Sequence, residues 1–163
     1  MAGFIKEINI LDEDTAKHVL SLQLEAYRIE ADLIGTMDIP PLKDSLQELM
    51  VCGEEFVGFF EQEELIGATS YKVENGQLDI HRLMVKPGHF RKGIARKLLN
   101  YLEKANPEVH EMIVSTGAAN LPAVQLYQKL GFKKTGEQKT KEGIFLVQFK
   151  KTVLISKKAG KHQ

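Results

Sequence analysis

The segment LMVKPGHFRKGIARKLL, residues 83–99, constrains the fold of this 163-residue chain more than any other. It begins as the end of an apolar strand, passes through a turn rich in glycine and basic residues, and continues with helical periodicity. A helix that starts directly after such a turn presents free backbone amides and the positive end of its dipole. Gly93 lets a ligand approach the backbone closely. The segment therefore predicts a site for an anionic group such as a pyrophosphate.

Two common phosphate-binding motifs do not fit this segment. Gly88 and Gly93 have the glycine spacing of a P-loop, but that motif needs Lys and then Ser or Thr where Ile94 and Ala95 stand. The G-x-G-x-x-G pattern of dinucleotide-binding folds is also absent. A nucleotide-hydrolysing P-loop protein is therefore not indicated.

The rest of the chain alternates strand and helix patterns. Strands are predicted over residues 4–9, 55–61, 64–73, 77–85, 112–115, 133–138 and 144–154. Apolar residues at helical spacing predict a long helix that ends at Gly35, and further helices over residues 42–49, 93–105 and 122–130. The resulting order, β-α-α-β-β-β-α-β-α-β-β, predicts a mixed α/β sheet with helices on its faces.

Composition is that of an ordinary globular domain. Hydrophobic residues make up 43% of the chain and charged residues 27%. No apolar run approaches the roughly 20 residues of a membrane span, and the first residues are too charged for a secretory signal. Cys52 is the single cysteine, which excludes an internal disulfide and a paired-cysteine site. We therefore expect one domain over residues 1–156, a basic, disordered tail over 157–163, no metal and a cytoplasmic location.

Charge is balanced overall but segregated along the chain. There are 22 basic and 22 acidic residues, which argues against a nucleic-acid partner. Residues 1–64 hold 15 acids and 4 bases, a charge of −11, whereas residues 65–163 hold 7 acids and 18 bases, a charge of +11. This predicts one surface suited to a cation and one suited to an anion. The alternative is a chance segregation of solvated charges.

Two blocks of sequence resemble the GNAT (Gcn5-related) N-acetyltransferase family. The first is V-x-P at residues 85–87 followed by RKGIA at residues 91–95, which is similar to the family's acyl-CoA loop. The second is N-x-x-A-x-x-x-Y-x-x-x-G-F at residues 120–132, which is similar to the family's second CoA motif. Phe90 is a departure, because the family usually has Gln or Arg at that position.

The resemblance implies the GNAT fold: a mixed, mostly antiparallel sheet of about seven strands with four helices. In this fold the strands at residues 77–85 and 112–115 splay apart, usually because of a β-bulge. The pantetheine arm of acetyl-CoA lies between them, bonded to the backbone near Met84 and Val85. The cofactor-binding residues implied in this way are Met84, Val85, Phe90, Arg91, Lys92, Gly93, Ile94, Ala95, Arg96, Asn120 and Tyr127.

Tyr127 is the expected general acid. Its place in the second block matches the family tyrosine that lies near the sulfur, so its hydroxyl would protonate or stabilise the departing CoA thiolate. The alternative is a core tyrosine packed with Leu126 and Leu130 on an amphipathic helix.

Asp79 and His81 are the candidate bases for deprotonating an amine. They are two residues apart on one strand and therefore share a face of the sheet. By position, Asp79 corresponds to the glutamate base of the family's histone-acetyltransferase branch, and the pair corresponds to the two histidines of its serotonin-acetyltransferase branch. The alternatives are a structural pair next to Arg82 and a relay of water molecules.

The acceptor is expected beside the two N-terminal helices. Tyr27, Glu30 and Asp32 are the candidate substrate residues, in an acidic stretch that also contains Glu25 and Asp38. Such a surface would attract a cationic amine, unless it is only a solvated helix face.

The function expected from the resemblance is direct transfer of an acetyl group from acetyl-CoA to a primary amine of a small molecule or protein, in a ternary complex. The alternative is a non-catalytic acyl-CoA-binding module. Neither a nucleic acid nor a membrane is expected as a partner, and a homodimer stays open.

Overall fold

A computed structural model describes residues 3–90 and 92–153 of the chain. These residues form seven strands and four α-helices, with one 3-10 turn at Pro40–Leu42 before α2. In chain order the elements are β1 Phe4–Ile8, α1 Glu13–Ile34, α2 Leu46–Met50, β2 Glu55–Glu61, β3 Glu64–Glu74, β4 Gln77–Val85, α3 Ile94–Ala105, β5 Glu111–Gly117, α4 Leu121–Lys129, β6 Lys133–Lys139 and β7 Phe145–Thr152.

The strands form one sheet in the order β1-β2-β3-β4-β5-β7-β6. Every neighbouring pair is antiparallel except β4 and β5, which are parallel. The mixed, mostly antiparallel sheet predicted from the sequence is therefore confirmed. Residues of α3 and α4 belong to one apolar core, and residues of α1 and α2 belong to a second, so the helices cover both faces.

Local sequence explains where the first helix begins and ends. Asp12 accepts hydrogen bonds from the backbone and the hydroxyl of Thr15 and so caps the helix N-terminus. Gly35 ends the helix with a φ of 93°, a left-handed conformation that glycine adopts without steric cost. The buried face includes Gln23, a polar residue that hydropathy places outside the core, whereas Leu24 is only half-buried.

Several sequence-based boundaries differ in detail from the structure; β5, for example, is longer than the predicted 112–115. The helix predicted over residues 42–49 is a 3-10 turn followed by the short α2, because Ser45 caps a new helix through a reciprocal bond pair with Glu48. The last strand ends at Thr152 rather than at residue 154. The tail expected at residues 157–163 lies outside the described residues. In the part of the chain that the structure describes, no helix is both long and apolar enough to cross a membrane.

Candidate active site

The central feature of the sheet is a gap between β4 and β5. The two strands pair only from Gln77 opposite Glu111 to Ile80 opposite Val114, and then they separate. On the other side of β4 the register with β3 shifts at the same level: Ser70 pairs with Arg82, whereas Tyr71 pairs with Ile80. His81 is therefore the extra residue of a β-bulge, and the bulge lies where the splay begins.

The bulge changes which side chains of β4 face each core. Before it, Leu78 and Ile80 pack into the core with α3 and α4. After it, Leu83 packs against that same core and Met84 belongs to the core with α1 and α2. The alternation of sides expected of a strand is thus shifted by one residue at His81. As a result, both His81 and Arg82 lie on the α1 and α2 side of the sheet.

The backbone of β4 presents hydrogen-bonding groups to the gap. The Lys86 amide donates to the Ile66 carbonyl of β3, so alternate residues Met84 and Arg82 also direct their amides toward β3. Leu83 and Val85 direct theirs toward β5, which has moved away. Of the two residues expected to bond a pantetheine arm, Val85 faces the gap. The amide of Met84 does not, because backbone direction alternates along a strand. The Leu83 amide also faces the gap, where it donates to the Tyr27 hydroxyl.

The gap opens into a cavity of about 380 Å³. Its lining combines β4 residues 83–85, β5 residues 115–117, one face of α1, the first turns of α4 and the β6–β7 turn. His81, Phe90 and Ala95 also line it, which places the cavity beside the start of α3. One end of the cavity therefore reaches the predicted anion site and the other reaches α1.

Tyr127 is buried at the inner wall of this cavity. Its ring contacts Phe132 edge-on, with centroids 5.4 Å apart, and Phe149 at 5.9 Å. The hydroxyl makes no hydrogen bond to another described residue. Burial, with smaller effects of Tyr27 and Glu30, raises the pKa of Tyr127 far above its usual value. The hydroxyl is therefore protonated at neutral pH, so both expected roles, core packing and proton donation, are physically open to it.

Glu30 and Tyr27 place polar groups of α1 in the same cavity. The Asn120 side chain, which caps α4, donates to the Glu30 carboxylate at 3.1 Å. Burial raises the pKa of Glu30, and this hydrogen bond offsets part of the shift. The Leu83 amide donates to the Tyr27 hydroxyl at 3.2 Å. Asn120, expected to bind cofactor, thus also joins α4 to α1.

Asp79 and His81 lie together, as their spacing predicts. His81 Nε2 is 3.5 Å from Asp79 Oδ2, and His81 Nδ1 is 3.2 Å from Glu54 Oε2. Burial raises the pKa of Asp79, while His81 opposes the shift. His81 lines the cavity, whereas Asp79, with 47% of its side chain exposed, does not. His81 is therefore held between two carboxylates at the bulge.

His81 contacts Glu54, which belongs to a network of polar side chains that the sequence patterns did not reveal. Arg82 binds Glu54 through Nη1 and Asp44 through Nη2, the latter at 2.9 Å. The buried Gln23 amide donates to Asp44 at 2.8 Å. Burial alone would lower the pKa of Arg82, but its bonds to Asp44 and Glu54 raise it overall. The only sequence signal for this network is Gln23, a polar residue on an otherwise apolar helix face.

The predicted anion loop places its residues in three different settings. Gly93 has a φ of 75°, and a Cβ there would meet nothing within 4 Å, so the space before α3 is open. The first three amides of α3 have no partner within the helix, because a helix leaves its N-terminal amides unpaired. Lys92 and Arg96 are exposed, Phe90 and Ala95 line the cavity, and Ile94 is buried in the core. Arg91 lies outside the described residues.

The remaining acidic candidates do not border the cavity. Asp32 is exposed on α1, because two residues along a helix turn it to the side opposite Glu30. Glu25 lines a separate groove beside β1, and Asp38 forms an ion pair with Lys43. Asp32, which the sequence predicted beside the acceptor, therefore lies outside this cavity, and the described acidic residues of the lining are Glu30 inside it and Glu142 at its rim.

Comparisons with known sequences point to one family. A family profile described as "Acetyltransferase (GNAT) domain" matches residues 37–153. The UPF0157 protein YqkA of Bacillus subtilis (strain 168) is 37% identical over 134 residues, which are 82% of this chain and 39% of that protein. The chain therefore spans well under half of the length of this curated relative.

Solved structures share the fold at low sequence identity. The ribosomal-protein-S18-alanine N-acetyltransferase of Escherichia coli matches with a TM-score of 0.74 and 15% identity, over 93% of this chain and 94% of that one. The PaiA N-acetyltransferase of Thermoplasma acidophilum, solved in complex with coenzyme A, matches with a TM-score of 0.74 and 20% identity, over 94% and 100%. These likenesses show the same fold.

Proposed function

The chain belongs to the GNAT acetyltransferase family, and we propose that it transfers the acetyl group of acetyl-CoA directly to a primary amine within a ternary complex. The observation that carries this proposal is the gap between β4 and β5, which has unpaired backbone groups along one edge and the free Tyr127 hydroxyl in its wall. An extended pantetheine arm fits such an edge as an added strand would. The acceptor would then enter the cavity from the α1 side.

Acetyl-CoA is proposed to bind by its pyrophosphate at the start of α3. The open space at Gly93, the unpaired helix amides and the exposed Lys92 and Arg96 support this placement. From there the pantetheine arm would follow Val85 and Leu83 into the gap. The structural neighbour PaiA, which binds coenzyme A in its crystal structure, supports a CoA ligand for this fold.

The proposed reaction has one acyl-transfer step. The neutral amine nitrogen attacks the thioester carbonyl carbon, a C–N bond forms, and negative charge develops on the carbonyl oxygen. Collapse of this intermediate breaks the C–S bond, and the thiolate takes a proton from the Tyr127 hydroxyl. The acylated nitrogen then loses its second proton, which returns to the Tyr127 phenolate directly or through water, so that the products are a neutral amide and the CoA thiol. The Tyr27 hydroxyl, which accepts a hydrogen bond from the Leu83 amide and can donate its own proton, is proposed to stabilise the developing oxyanion.

The amine must lose one proton before the attack, since a free alkyl ammonium has a pKa of about 10.4. We assign this step to His81, directly or through a water molecule, because it lines the cavity and an imidazole nitrogen can accept a proton. Glu54 at Nδ1 would orient the ring. Asp79 is then a neighbour that stabilises the protonated imidazole.

A thiol-release assay with acetyl-CoA tests the proposal. The acceptor panel comprises alkyl and aryl amines, polyamines, amino acids, aminoglycosides and peptides. Release that depends on an amine, with an acetylated product of matching mass, supports the transferase. A protein that binds acetyl-CoA by calorimetry but transfers to no member of the panel is instead the non-catalytic binding module.

A further inference from the structure

Most acidic side chains near the cavity already have a cationic partner. Asp44 and Glu54 bind Arg82, and Asp38 pairs with Lys43. Glu30 differs, because its hydrogen-bond donor in the structure is the neutral amide of Asn120. A carboxylate that is largely buried and lacks a cation is costly, and a cationic ligand would offset that cost.

Much of the wall around Glu30 is apolar, although Tyr27, His81, Arg82 and Thr140 also line the cavity. On the acceptor side the cavity is lined by Ala26, Ile34, Ile39, Pro40, Pro41, Ile144 and Leu146. The second carboxylate of the lining, Glu142, is exposed at the rim and lies close enough to Lys43 to raise the pKa of that lysine. Among the described lining residues, the Glu30 carboxylate is the interior site for a positive charge, whereas Arg82 and the apolar side chains disfavour a second cation.

On the basis of the proposed function, we propose that the acceptor is a primary amine carried on an uncharged, apolar body, and that Glu30 binds its ammonium group. A second ammonium on the same molecule would have to leave water and lie against aliphatic side chains. Polyamines are therefore poor acceptors, although their overall charge suits the acidic half of the chain.

A matched pair of acceptors tests the substrate class on the unmodified protein. Hexylamine and 1,6-diaminohexane have the same length and differ only at the far end. We expect kcat/KM for hexylamine to exceed that for the diamine by about tenfold or more, because an ammonium in an apolar cavity is poorly solvated. Equal or faster acetylation of the diamine would overturn the substrate class while leaving the transferase function intact. Absence of transfer to every amine would overturn both.

A matched pair of variants on α1 tests the role of Glu30. In Glu30→Gln the Asn120 hydrogen bond can persist but the charge is lost, and kcat/KM for hexylamine should fall by about 30-fold or more, mainly through KM. The KM for acetyl-CoA should not change. Asp32→Asn removes a charge from the exposed side of the same helix and should leave both KM values unchanged. An unchanged amine KM in Glu30→Gln, or an equal rise in Asp32→Asn, would contradict the assignment.

Discussion

Burial decides which single side chains of the site hold a proton at neutral pH. Tyr127 keeps its proton because the ionised phenolate would be poorly solvated in the cavity wall. His81 lies in a different setting, because its side chain is partly exposed and has a carboxylate near each ring nitrogen. One cavity is thus lined by the Tyr127 hydroxyl, the proposed proton donor on α4, and by His81, the proposed acceptor on β4.

The Tyr127→Phe variant tests the proton donor. It keeps the ring that packs on Phe132 and Phe149 and removes only the hydroxyl. If Tyr127 protonates the thiolate, steady-state kinetics should show kcat lowered by about 10²-fold with little change in the KM for acetyl-CoA. Tyr101→Phe is the control: it removes the hydroxyl of a partly buried tyrosine on α3 and should keep the parent kcat. Equal turnover in all three proteins would reduce Tyr127 to a packing residue.

Glu30, the proposed binding group for the amine, should reduce the stability of the folded chain. Because burial raises its carboxyl pKa, the folded chain binds this proton more tightly than the unfolded chain does. The Glu30 carboxyl therefore destabilises the folded chain only when it is ionised. The free energy of unfolding is higher at low pH and falls as the pH rises through the raised pKa. Glu30→Gln should therefore melt about 2–4 °C above the parent at pH 7, for a gain of about 1 kcal/mol.

The difference in melting temperature between Glu30→Gln and the parent should shrink as the pH falls toward the usual glutamate pKa of about 4.3, where the parent carboxyl is also neutral. Melting curves at both pH values measure it. A lower melting temperature for Glu30→Gln at neutral pH would show that the carboxylate stabilises the fold, which would remove the argument that it is kept for a ligand.

At the scale of secondary-structure elements, the bulge at His81 does two things. It ends the pairing of β4 with β5, which opens the gap, and it places His81 and Arg82 on one side of the sheet. Arg82 then reaches Asp44, in the segment between the 3-10 turn and α2, and so ties β4 to the part of the chain that lines the acceptor side of the cavity.

Arg82→Ala tests this tie between elements. The change leaves the carboxylates of Asp44 and Glu54 partly buried without a cation, so the free energy of unfolding should fall by about 3–5 kcal/mol. Denaturant unfolding monitored by circular dichroism measures the change. Lys17→Ala breaks an exposed pair with Glu13 and should cost less than about 1 kcal/mol. Similar small effects in both variants would show that the Arg82 network is not a structural support.

Gly93→Glu tests the anion site at the start of α3. The new carboxylate would stand in the open space where the pyrophosphate is proposed to bind. Calorimetry on the folded variant should show acetyl-CoA affinity weakened by about tenfold or more, equivalent to about 1.4 kcal/mol. Gly93→Ala introduces the same strain at positive φ without the charge and should bind more tightly than the glutamate variant. Unchanged affinity in both would place the pyrophosphate elsewhere.

At the scale of the whole molecule, the basic and acidic halves of the chain contribute unequally to the cavity and its surroundings. Lys92 and Arg96 are exposed near the start of α3, where the pyrophosphate is proposed to bind, although the Lys92 ammonium also contacts Glu61 at 3.6 Å. The acidic half contributes Glu30 to the cavity interior and leaves Asp32 in solvent. Solvent-exposed charges are screened by salt, and buried ones are screened much less. The two substrates should therefore respond differently to ionic strength.

Raising the salt from about 0.1 M to about 1 M shortens the screening length from about 10 Å to about 3 Å. We expect the KM for acetyl-CoA to rise markedly and the KM for the amine to rise less, in initial-rate measurements that vary each substrate separately. A larger rise for the amine would return the acceptor to the exposed acidic surface that the sequence alone predicts.

The sequence by itself determined the local parts of this protein. Strand and helix positions, the Asn75-Gly76 turn and the glycine-rich start of α3 follow from hydrophobic periodicity and turn chemistry, which act over a few residues. The family motifs are also short and local, so two blocks of sequence were enough to indicate the family. The pairing of Asp79 with His81 could also be expected from their spacing.

Only the tertiary structure decided which of the candidate side chains meet. Glu30 and Asn120 are 90 residues apart, and Arg82 is 38 residues from Asp44, so no local pattern relates them. Asp32 and Glu30 have similar chemistry in the sequence, but the packing of α1 puts one in solvent and the other in the cavity. The bulge at His81 could not be located from the sequence of β4 alone, because strand register depends on both neighbouring strands.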